Sequence, residues 1–519
     1  MSGPKLLIDT NILIGLEDHK KIVSTFSTLH KKCQQHGVQI FIHEASKKDI
    51  ERDKDAERRK IILSKIDKFL LLNGIDIPPV HELEATYGAI KSPNDLVDVT
   101  LLHSLHDVDA VDFLITQDRG LHKRAQRVGI SGRVFRIEDA IVWLRDTYDR
   151  IKVSLPYIES KQCHQINKKD DIFTSLREDY EGFDTWFHDS CVKNHRDCWT
   201  IIFNDEIAGI AIRKDESFDD LKKDVPSSES HFTGAPKKIL KICTFKVKDR
   251  YRGEKLGEQL IKQVLWWAHK NTYDFVYLTV FPKHKYLIDM LLQYGFETIG
   301  RTKGELYLGK TFMPDLLKTS KSTDPLSYHR QYYPAFLRGE EVSKFLIPIK
   351  SPYYEVLFPE NVSKRQKSFF DDSPDIQINK VPGNTIRKVY LCQSGIKSIQ
   401  KGDILLFFHL KDENSFHSQS LVTVGITDGF DITCSHEEIL KLTAKRSVYS
   451  QEQLIGFTKK DTKEVKVINF LLAGHINPAI LYDRLLEIGI KGPYQSIRSI
   501  SHEHFQILEK ELILDVKTT

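Results

Sequence analysis

The apolar run KLLI at residues 5–8 is followed at once by the polar DTN, and the same design returns along the first 150 residues. VQIFIH ends at residue 43, FLIT at 116 and RVFRI at 137, with amphipathic or charged stretches between them. Short apolar runs alternating with helical-period segments predict a parallel α/β sheet covered by helices on both faces. In such sheets chemistry collects beyond the carboxyl ends of the strands. There the sequence places Asp9, Glu44 and Asp118, while Asp98 lies in PNDLVDVTLLHSL, whose proline, asparagine and acids mark a helix start.

From about residue 153 the pattern changes. DCWTIIFNDEIAGIAIR (197–213) reads as two strands joined at the NDE turn, and a polar loop over 214–235 leads to KILKICTFKVKDRYRGEKLGEQLIKQVLWWAHK. Here a strand passes through a basic link into a helix whose first turn holds Gly253 and Gly257. Unpaired N–H groups at such a helix start suit an anion, with phosphate the natural guest and Arg250, Arg252 and Lys255 adding charge. Leu260, Ile261, Val264 and Leu265 give the helix one inward face. Residues 313–344 lack clear periodicity and read as a connector. Beyond them KFLIPIK, YYEVLF, IRKVYLCQ, GDILLFFHL and SLVTVGITDGF are short strands parted by turn signals, and EEILKLTAK and PAILYDRLLEIG are helical. An antiparallel barrel with a few helices is predicted.

At 519 residues, 40% apolar and 29% charged, the chain exceeds one hydrophobic core and is expected to be a soluble multidomain protein. No stretch approaches the roughly 18 consecutive apolar residues of a membrane span, and no signal peptide is recognisable, so a cytoplasmic protein is expected. Seven cysteines without CxxC spacing argue against a disulfide framework or structural zinc site and read as buried thiols. The net charge of +4 is spread as 0, +2 and +2 over residues 1–150, 151–310 and 311–519. A nucleic-acid partner would therefore depend on local patches such as RRK at 58–60 and HKRAQR at 122–127, which also read as solvated helix faces.

Taken singly, each acid has a structural reading: Asp9 as an N-cap, Asp98 as a first-turn residue, Asp118 as the cap of RGLHKRAQR. Four converging carboxylates would repel one another unless a hard divalent cation neutralised them, and oxygen-only donors suit Mg2+ or Mn2+. LLIDTN, Glu44, DVTLLHSL with Asp98 and LITQDRGL with Asp118 resemble a PIN domain over roughly residues 4–150 of a first domain at 1–150. Members of that family are mostly metal-dependent ribonucleases. The resemblance implies that Asp9, Glu44, Asp98 and Asp118 are catalytic and metal-binding, with Asn11 and Thr116 as polar supports and Asp95 as an alternative to Asp98.

Over 151–312 the strand and glycine-bearing helix, then DFVYLTVFPKHKYLIDMLLQYGFETIGR with Gly295 and Phe296, then ELYLGKTF, resemble the GNAT acetyltransferases, an α+β fold. That resemblance implies acetyl-CoA, held by Phe245, Val247, Arg250, Arg252, Gly253, Lys255, Leu256 and Gly257, with Lys255 standing where the family's R-x-x-G-x-G/A usually has glycine. A tyrosine four residues before the glycine of GF often protonates the departing thiolate in this family. Here that position is Leu291; Tyr294, the chosen candidate, and Tyr286 are substitutes on the same helix that also read as packing. Glu206 and Asp205 are poor candidates for the general base, since turns select such residues anyway.

Across 345–519, SIQKGDILLFFHL with Gly402 and Asp403, SLVTVGITDGF with Gly425, RSVYS, and KVINFLL before GPYQSIRSI resemble the PUA-like superfamily, in particular its ASCH and EVE-type members, and imply a β-barrel-rich domain. Relatives often bind RNA or modified bases. Arg446, Tyr449, Tyr494 and Arg498 are the candidates for stacking and phosphate contacts, with filling of the barrel mouth as the other reading of the tyrosines. Together the resemblances imply an acetyl-CoA-dependent N-acetyltransferase fused to a metal-dependent ribonuclease, acting on RNA, tRNA included, or on an RNA-linked amine. A toxin- or defence-like role with an antidote partner is left open. The alternatives are a protein or small-molecule N-acetyltransferase with a non-catalytic PIN-like scaffold, and a non-catalytic RNA-binding scaffold.

Overall fold

The computed structural model describes the chain apart from residues 1–2, 13–19, 52–55, 67–68, 150–155, 226–230, 315–323, 363–380, 383–384, 413–417, 446–448, 450, 459–462, 493 and 516–519. It divides into two compact units, one of Met1–Lys152 with Thr433–Val467 and the other of Val153–Ile432 with Ile468–Thr519. Part of the span expected as a third domain thus joins the first unit. No helix among the described residues is long and apolar enough to cross a membrane.

In the first unit β1 (Lys5–Ile8), β2 (Gln39–His43), β3 (Leu70–Leu72), β4 (Phe113–Ile115) and β5 (Val134–Phe135) form a parallel sheet in the order β3-β2-β1-β4-β5. Leu6 and Ile8 enter one apolar cluster and Leu7 the other, so successive side chains of β1 face opposite helical layers. That two-sided burial is why the strand reads as an unbroken apolar run. Only β3, short and half-exposed at the sheet edge, had no counterpart in the sequence pattern.

The second unit holds two sheets. Its strands are β6 (Tyr157–Gln162), β7 (Asp197–Phe203), β8 (Glu206–Glu216), β9 (Ile239–Val247), β10 (Phe275–Val280), β11 (Glu297–Thr302), β12 (Glu305–Thr311) and β13 (Lys344–Ile349). They continue as β14 (Val381–Pro382), β15 (Arg387–Cys392), β16 (Ile404–His409), β17 (Ser420–Thr433), β18 (Val465–Leu481), β19 (Arg498–Ile500) and β20 (Leu514–Asp515). An eight-stranded sheet runs β11-β12-β10-β9-β8-β7-β6-β14, and a seven-stranded one runs β15-β18-β17-β16-β13-β19 with β20 on β18. Where an antiparallel barrel was expected, β13 and β16 are parallel. The crossover between them, carrying the helices Ser351–Leu357 and Pro359–Val362, supplies the long connection that parallel pairing requires.

The described residues from 324 onward of the expected connector pack against the rest of the unit. Asp324 caps a helix, Pro325–Tyr332, whose backbone presses on the Gly295 turn: a Cβ at Gly295 would stand 2.1 Å from the carbonyl oxygen of Gln331, and its φ is +80°. The next residue, Tyr333, is fully buried; it accepts from Trp266 Nε1 at 2.7 Å and donates to the Leu472 carbonyl at 2.8 Å.

The helix Leu256–Lys270 also departs from its expected amphipathic form. Leu260, Ile261, Val264 and Leu265 are buried as expected, but so are Lys262 and Trp266, because its polar side packs on the C-terminal part of the unit. Lys262 Nζ and His475 Nε2 each lie 3.4 Å from Glu360 Oε1, and Lys388 Nζ donates to the Leu357 carbonyl at 2.6 Å. Burial alone would raise the Glu360 carboxyl, yet the charges of Lys262 and Lys388 hold it well below the usual carboxylate range. Burial lowers Lys388 to about 7, against the pull of Glu360. Glu360→Gln removes the carboxylate that both ammonium groups face. It is expected to cost about 3–5 kcal/mol of unfolding free energy in denaturant titration of the full chain, whereas a loss under about 1 kcal/mol would show that these charges do not depend on one another.

Candidate functional site

β9 and β10 run parallel, and their register extends from Ile239/Phe275 to Ile242/Leu278. Past that point Thr244, Phe245, Lys246 and Val247 still pair with Ile212, Ala211, Ile210 and Gly209 of β8, but no residue of β10 registers with them. The sheet therefore opens between the carboxyl ends of two parallel strands, leaving backbone groups of β9 that need a partner. Phe245 and Val247, both half-buried, stand at this opening.

The chain then turns sharply. After a 3-10 turn, Asp249–Tyr251, Gly253 has φ +87° and Lys255 has φ +57° before the helix begins at Leu256. The position where the family pattern usually has glycine is thus left-handed in this chain, which accounts for glycine there and costs a lysine about 1 kcal/mol. The turn presents the first N–H groups of the helix, which have no intrahelical acceptor, to the outside. Leu256 is buried beneath the helix start, and Gly257 lies against Met290, whose sulfur would be 3.4 Å from an added Cβ.

The expected phosphate cations are largely committed elsewhere. Arg250 donates to Glu206 Oε1 and to Asp171 Oδ2, each at 2.9 Å, and Arg252 donates to Asp249 Oδ1 at 2.9 Å. The bond from Arg250 first, and those from Tyr251 and Lys248, hold the Glu206 carboxyl at about 2. Glu206 therefore locks the link between strand and helix.

Tyr294 is enclosed by protein groups. It is 1% exposed, its hydroxyl accepts from Arg387 Nε at 3.3 Å, and its ring lies 6.0 Å from that of Tyr333. Burial pushes the phenol up, which makes it a poorer proton donor still. Leu291 is fully buried, and Tyr286 is half-exposed. A group that the sequence did not signal lies at the same sheet end as the opening. His284, just past β10, has Nε2 3.1 Å from Asp179 Oδ2, and Lys283 pairs with the same carboxylate. Nearby in the chain, Tyr180 donates to Glu305 at 2.6 Å and its ring lies 5.0 Å from that of Phe281. Three distant segments meet here without any shared spacing.

In the first unit the acids are organised around Thr116. Its hydroxyl donates to Asp9 Oδ2 at 2.6 Å and accepts from the Asp118 amide at 2.9 Å and from Asn11 Nδ2 at 3.3 Å. Asp9 is 4% exposed and raised, by burial before all else and also by Asp118. Asp98 is raised to about 7 by burial, then by the charges of Asp9, Asp118 and Asp95, with Arg124 opposing. Asp118 is also a helix cap, accepting from Leu121 N at 2.9 Å, and Asp95 accepts from the Lys91 amide at 2.8 Å. Glu44 pairs with Lys48 at 3.5 Å and is absent from the groups that perturb Asp98. Asn11 Oδ1 is buried without a hydrogen-bond partner. Three carboxylates thus feel one another's charge, but among the described residues no group of three or more His, Cys, Asp or Glu side chains is gathered to hold a metal ion. The carboxylate donors suit magnesium or manganese chemically.

Of the expected RNA contacts, Arg446 lies outside the described residues. Tyr449, in the first unit, is 4% exposed beside Phe457. Tyr494, in the second, belongs to an apolar core, with the rings of Phe408 and Tyr482 at 4.7 and 5.3 Å and its hydroxyl bonded to the Ile490 carbonyl. Arg498 lies 5.7 Å from the Tyr494 ring and donates to the Lys491 carbonyl. Tyr494 thus packs against Phe408 and Tyr482. In the HKRAQR patch, Arg124 spends its guanidinium on the carbonyls of Tyr87, Gly88 and Ala89.

Residues 161–296 match the model of the Acetyltransferase (GNAT) family, so this segment is a GNAT-type domain. No curated protein matches the chain. Among solved structures, a GNAT family acetyltransferase from Elizabethkingia anophelis with acetyl-CoA bound is 13% identical over 30% of this chain and 99% of its own, with a TM-score of 0.23. Arabidopsis thaliana NAA60 in complex with a bisubstrate analogue is 17% identical over 30% and 97%, with a TM-score of 0.23. ASCH from Zymomonas mobilis is 13% identical over 33% and 96%, with a TM-score of 0.24.

Thr116 is the residue on which the first-unit pocket turns. Thr116→Val keeps the shape and removes the donor to buried Asp9, so a loss of about 1–3 kcal/mol is expected in thermal unfolding, against no change if Thr116 only fills space.

Proposed function

We propose that the chain is an acetyl-CoA-dependent N-acetyltransferase. The observation that carries this reading is the opening of β9 from β10 beside the left-handed turn at Gly253 and Lys255, within the segment that matches the GNAT model. The exposed strand edge suits an extended, amide-bearing chain, and the helix start suits a pyrophosphate. The acceptor amine attacks the thioester carbonyl; a C–N bond forms, the C–S bond breaks, and the nitrogen gives up a proton. For that proton we assign His284, oriented by Asp179 at the same end of the sheet; coenzyme A leaves as the thiolate, and solvent rather than Tyr294, whose hydroxyl is engaged by Arg387, supplies its proton. The seven cysteines are all free, as a reducing cytoplasm would keep them.

For the acceptor we propose an amine carried on RNA, tRNA included; the support is the acidic pocket of the other unit, whose carboxylates are of the kind that nucleic-acid chemistry employs. That pocket favours a second reading, a metal-dependent ribonuclease, because the charges of Asp9 and Asp118 bear on Asp98 and a bound Mg2+ or Mn2+ would relieve them. An antidote partner belongs to this toxin-like reading.

Two measurements test these proposals. The protein is expected to transfer acetyl groups from acetyl-CoA, and Gly253→Val, which forces a β-branched residue to φ +87°, is expected to lower kcat/KM at least about tenfold. Transfer to peptides or polyamines alone would replace RNA as acceptor, and no transfer to any amine would favour a scaffold. Separately, Mn2+ is expected to support cleavage of an RNA pool that EDTA and Asp118→Asn each abolish. Asparagine still caps the helix, so intact RNA with folded wild-type protein would end the nuclease reading.

A further inference from the structure

We infer that Lys283 is itself an acetyl acceptor, so that the protein acetylates this side chain in cis from acetyl-CoA. The inference rests on the acetyltransferase reading. Lys283 stands in the turn that leaves β10, at the sheet end where β10 parts from β9, and its side chain is 58% exposed. Its ammonium pairs with Oδ1 of Asp179, whose other oxygen, Oδ2, lies 3.1 Å from His284 Nε2. Asp179 is nearly enclosed, with 12% of its side chain exposed. One carboxylate thus holds an accessible primary amine and the assigned base side by side. The ring of Phe281, centred 5.6 Å from the same ammonium, gives the side chain an apolar support that does not depend on its charge.

The other lysines around the opening are placed differently. Lys248 is 6% exposed among Asp170, Asp171 and Glu206, Lys246 faces Asp249 at 3.5 Å, and Lys255 belongs to the helix start that suits phosphate. Lys285, exposed at the start of the helix Lys285–Gln293, is the natural reference for acetylation by the reagent alone. In the proposed step Lys283 Nζ gives up the extra proton of its ammonium and attacks the thioester carbonyl. The C–N bond forms, the C–S bond breaks and the nitrogen gives up a second proton. Both protons pass in turn to His284 and on to solvent, and the departing thiolate takes one back from solvent, so one proton is released overall. The product is a neutral amide, which ends the ion pair and leaves the Asp179 charge to His284.

The test incubates the full chain with acetyl-CoA carrying an isotopically heavy acetyl group and maps its lysines by peptide mass spectrometry, with coenzyme A binding followed by calorimetry. Lys283 is expected to gain label at least about tenfold faster than Lys285, at a rate independent of protein concentration. Gly253→Val and His284→Gln are each expected to slow Lys283 at least about tenfold and to leave Lys285 unchanged. Lys283→Arg keeps a cation on Asp179 and is expected to lose that label alone. Should Gly253→Val not fold, His284→Gln, at a 43%-exposed position, decides in the same way. Equal labelling of Lys283 and Lys285 that both variants leave unchanged would mean acetylation by the reagent alone and would overturn the inference, as would a rate that rises with protein concentration. Protein that binds coenzyme A yet leaves Lys283 unlabelled overturns it too, with the acetyltransferase reading left standing. Protein that binds no coenzyme A overturns that reading and this inference together.

Discussion

The second unit depends on a helix that is packed on two sides. Residues 256–270 bury Leu260, Ile261, Val264 and Leu265 on one side, while Glu258, Lys262 and Trp266, four residues apart and so on one stripe, meet the Arg387 backbone N–H, Glu360 and Tyr333 on the other. A polar stripe taken out of water is tolerable only when each group finds a partner. Each partner comes from chain beyond residue 311. The helix start can be an anion site because its body is fixed from both sides, and the strands β9 and β10 flanking it can part without loosening it.

This arrangement changes what the domain boundary means. The connector supplies Tyr333, the crossover supplies Glu360, and β15 supplies the backbone N–H of Arg387, while β14 extends the eight-stranded sheet beyond β6. The seven-stranded sheet is thus part of the scaffold of the helix Leu256–Lys270. The first unit follows a different logic, in which one hydroxyl, Thr116, links Asp9, Asn11 and Asp118 and sets where two of the carboxylates stand.

What the sequence disclosed follows periodicity and local turn chemistry. Buried parallel strands read as apolar runs, so KLLI, QIFIH and FLI were legible, as was a glycine-bearing helix start, although Gly253 stands in the left-handed turn before Leu256 and not in the first turn of the helix. Convergence of distant residues leaves none. His284 with Asp179, and Glu258 with Arg387, meet through topology alone. So do the thiols of Cys191 and Cys243, which share the guanidinium of Arg196 at 3.5 Å, although spacing suggested only scattered cysteines. Lys262 and Trp266 were misleading for a related reason: a charged residue on the outward face of a helix reads as solvated, and only the tertiary structure supplies the buried Glu360 that meets it. Tyr294 and Tyr494 show the converse, aromatic residues in motif-like positions whose hydroxyls are occupied by protein groups.

The central claim, that the opening between β9 and β10 and the helix start behind it receive acetyl-CoA, is tested most directly by amide hydrogen exchange of the full chain with and without acetyl-CoA. Slowed exchange is expected at residues 243–247 and 253–259, with the rest of the chain little changed. Slowed exchange elsewhere with those amides unaffected, or no change anywhere at saturating acetyl-CoA, would contradict it.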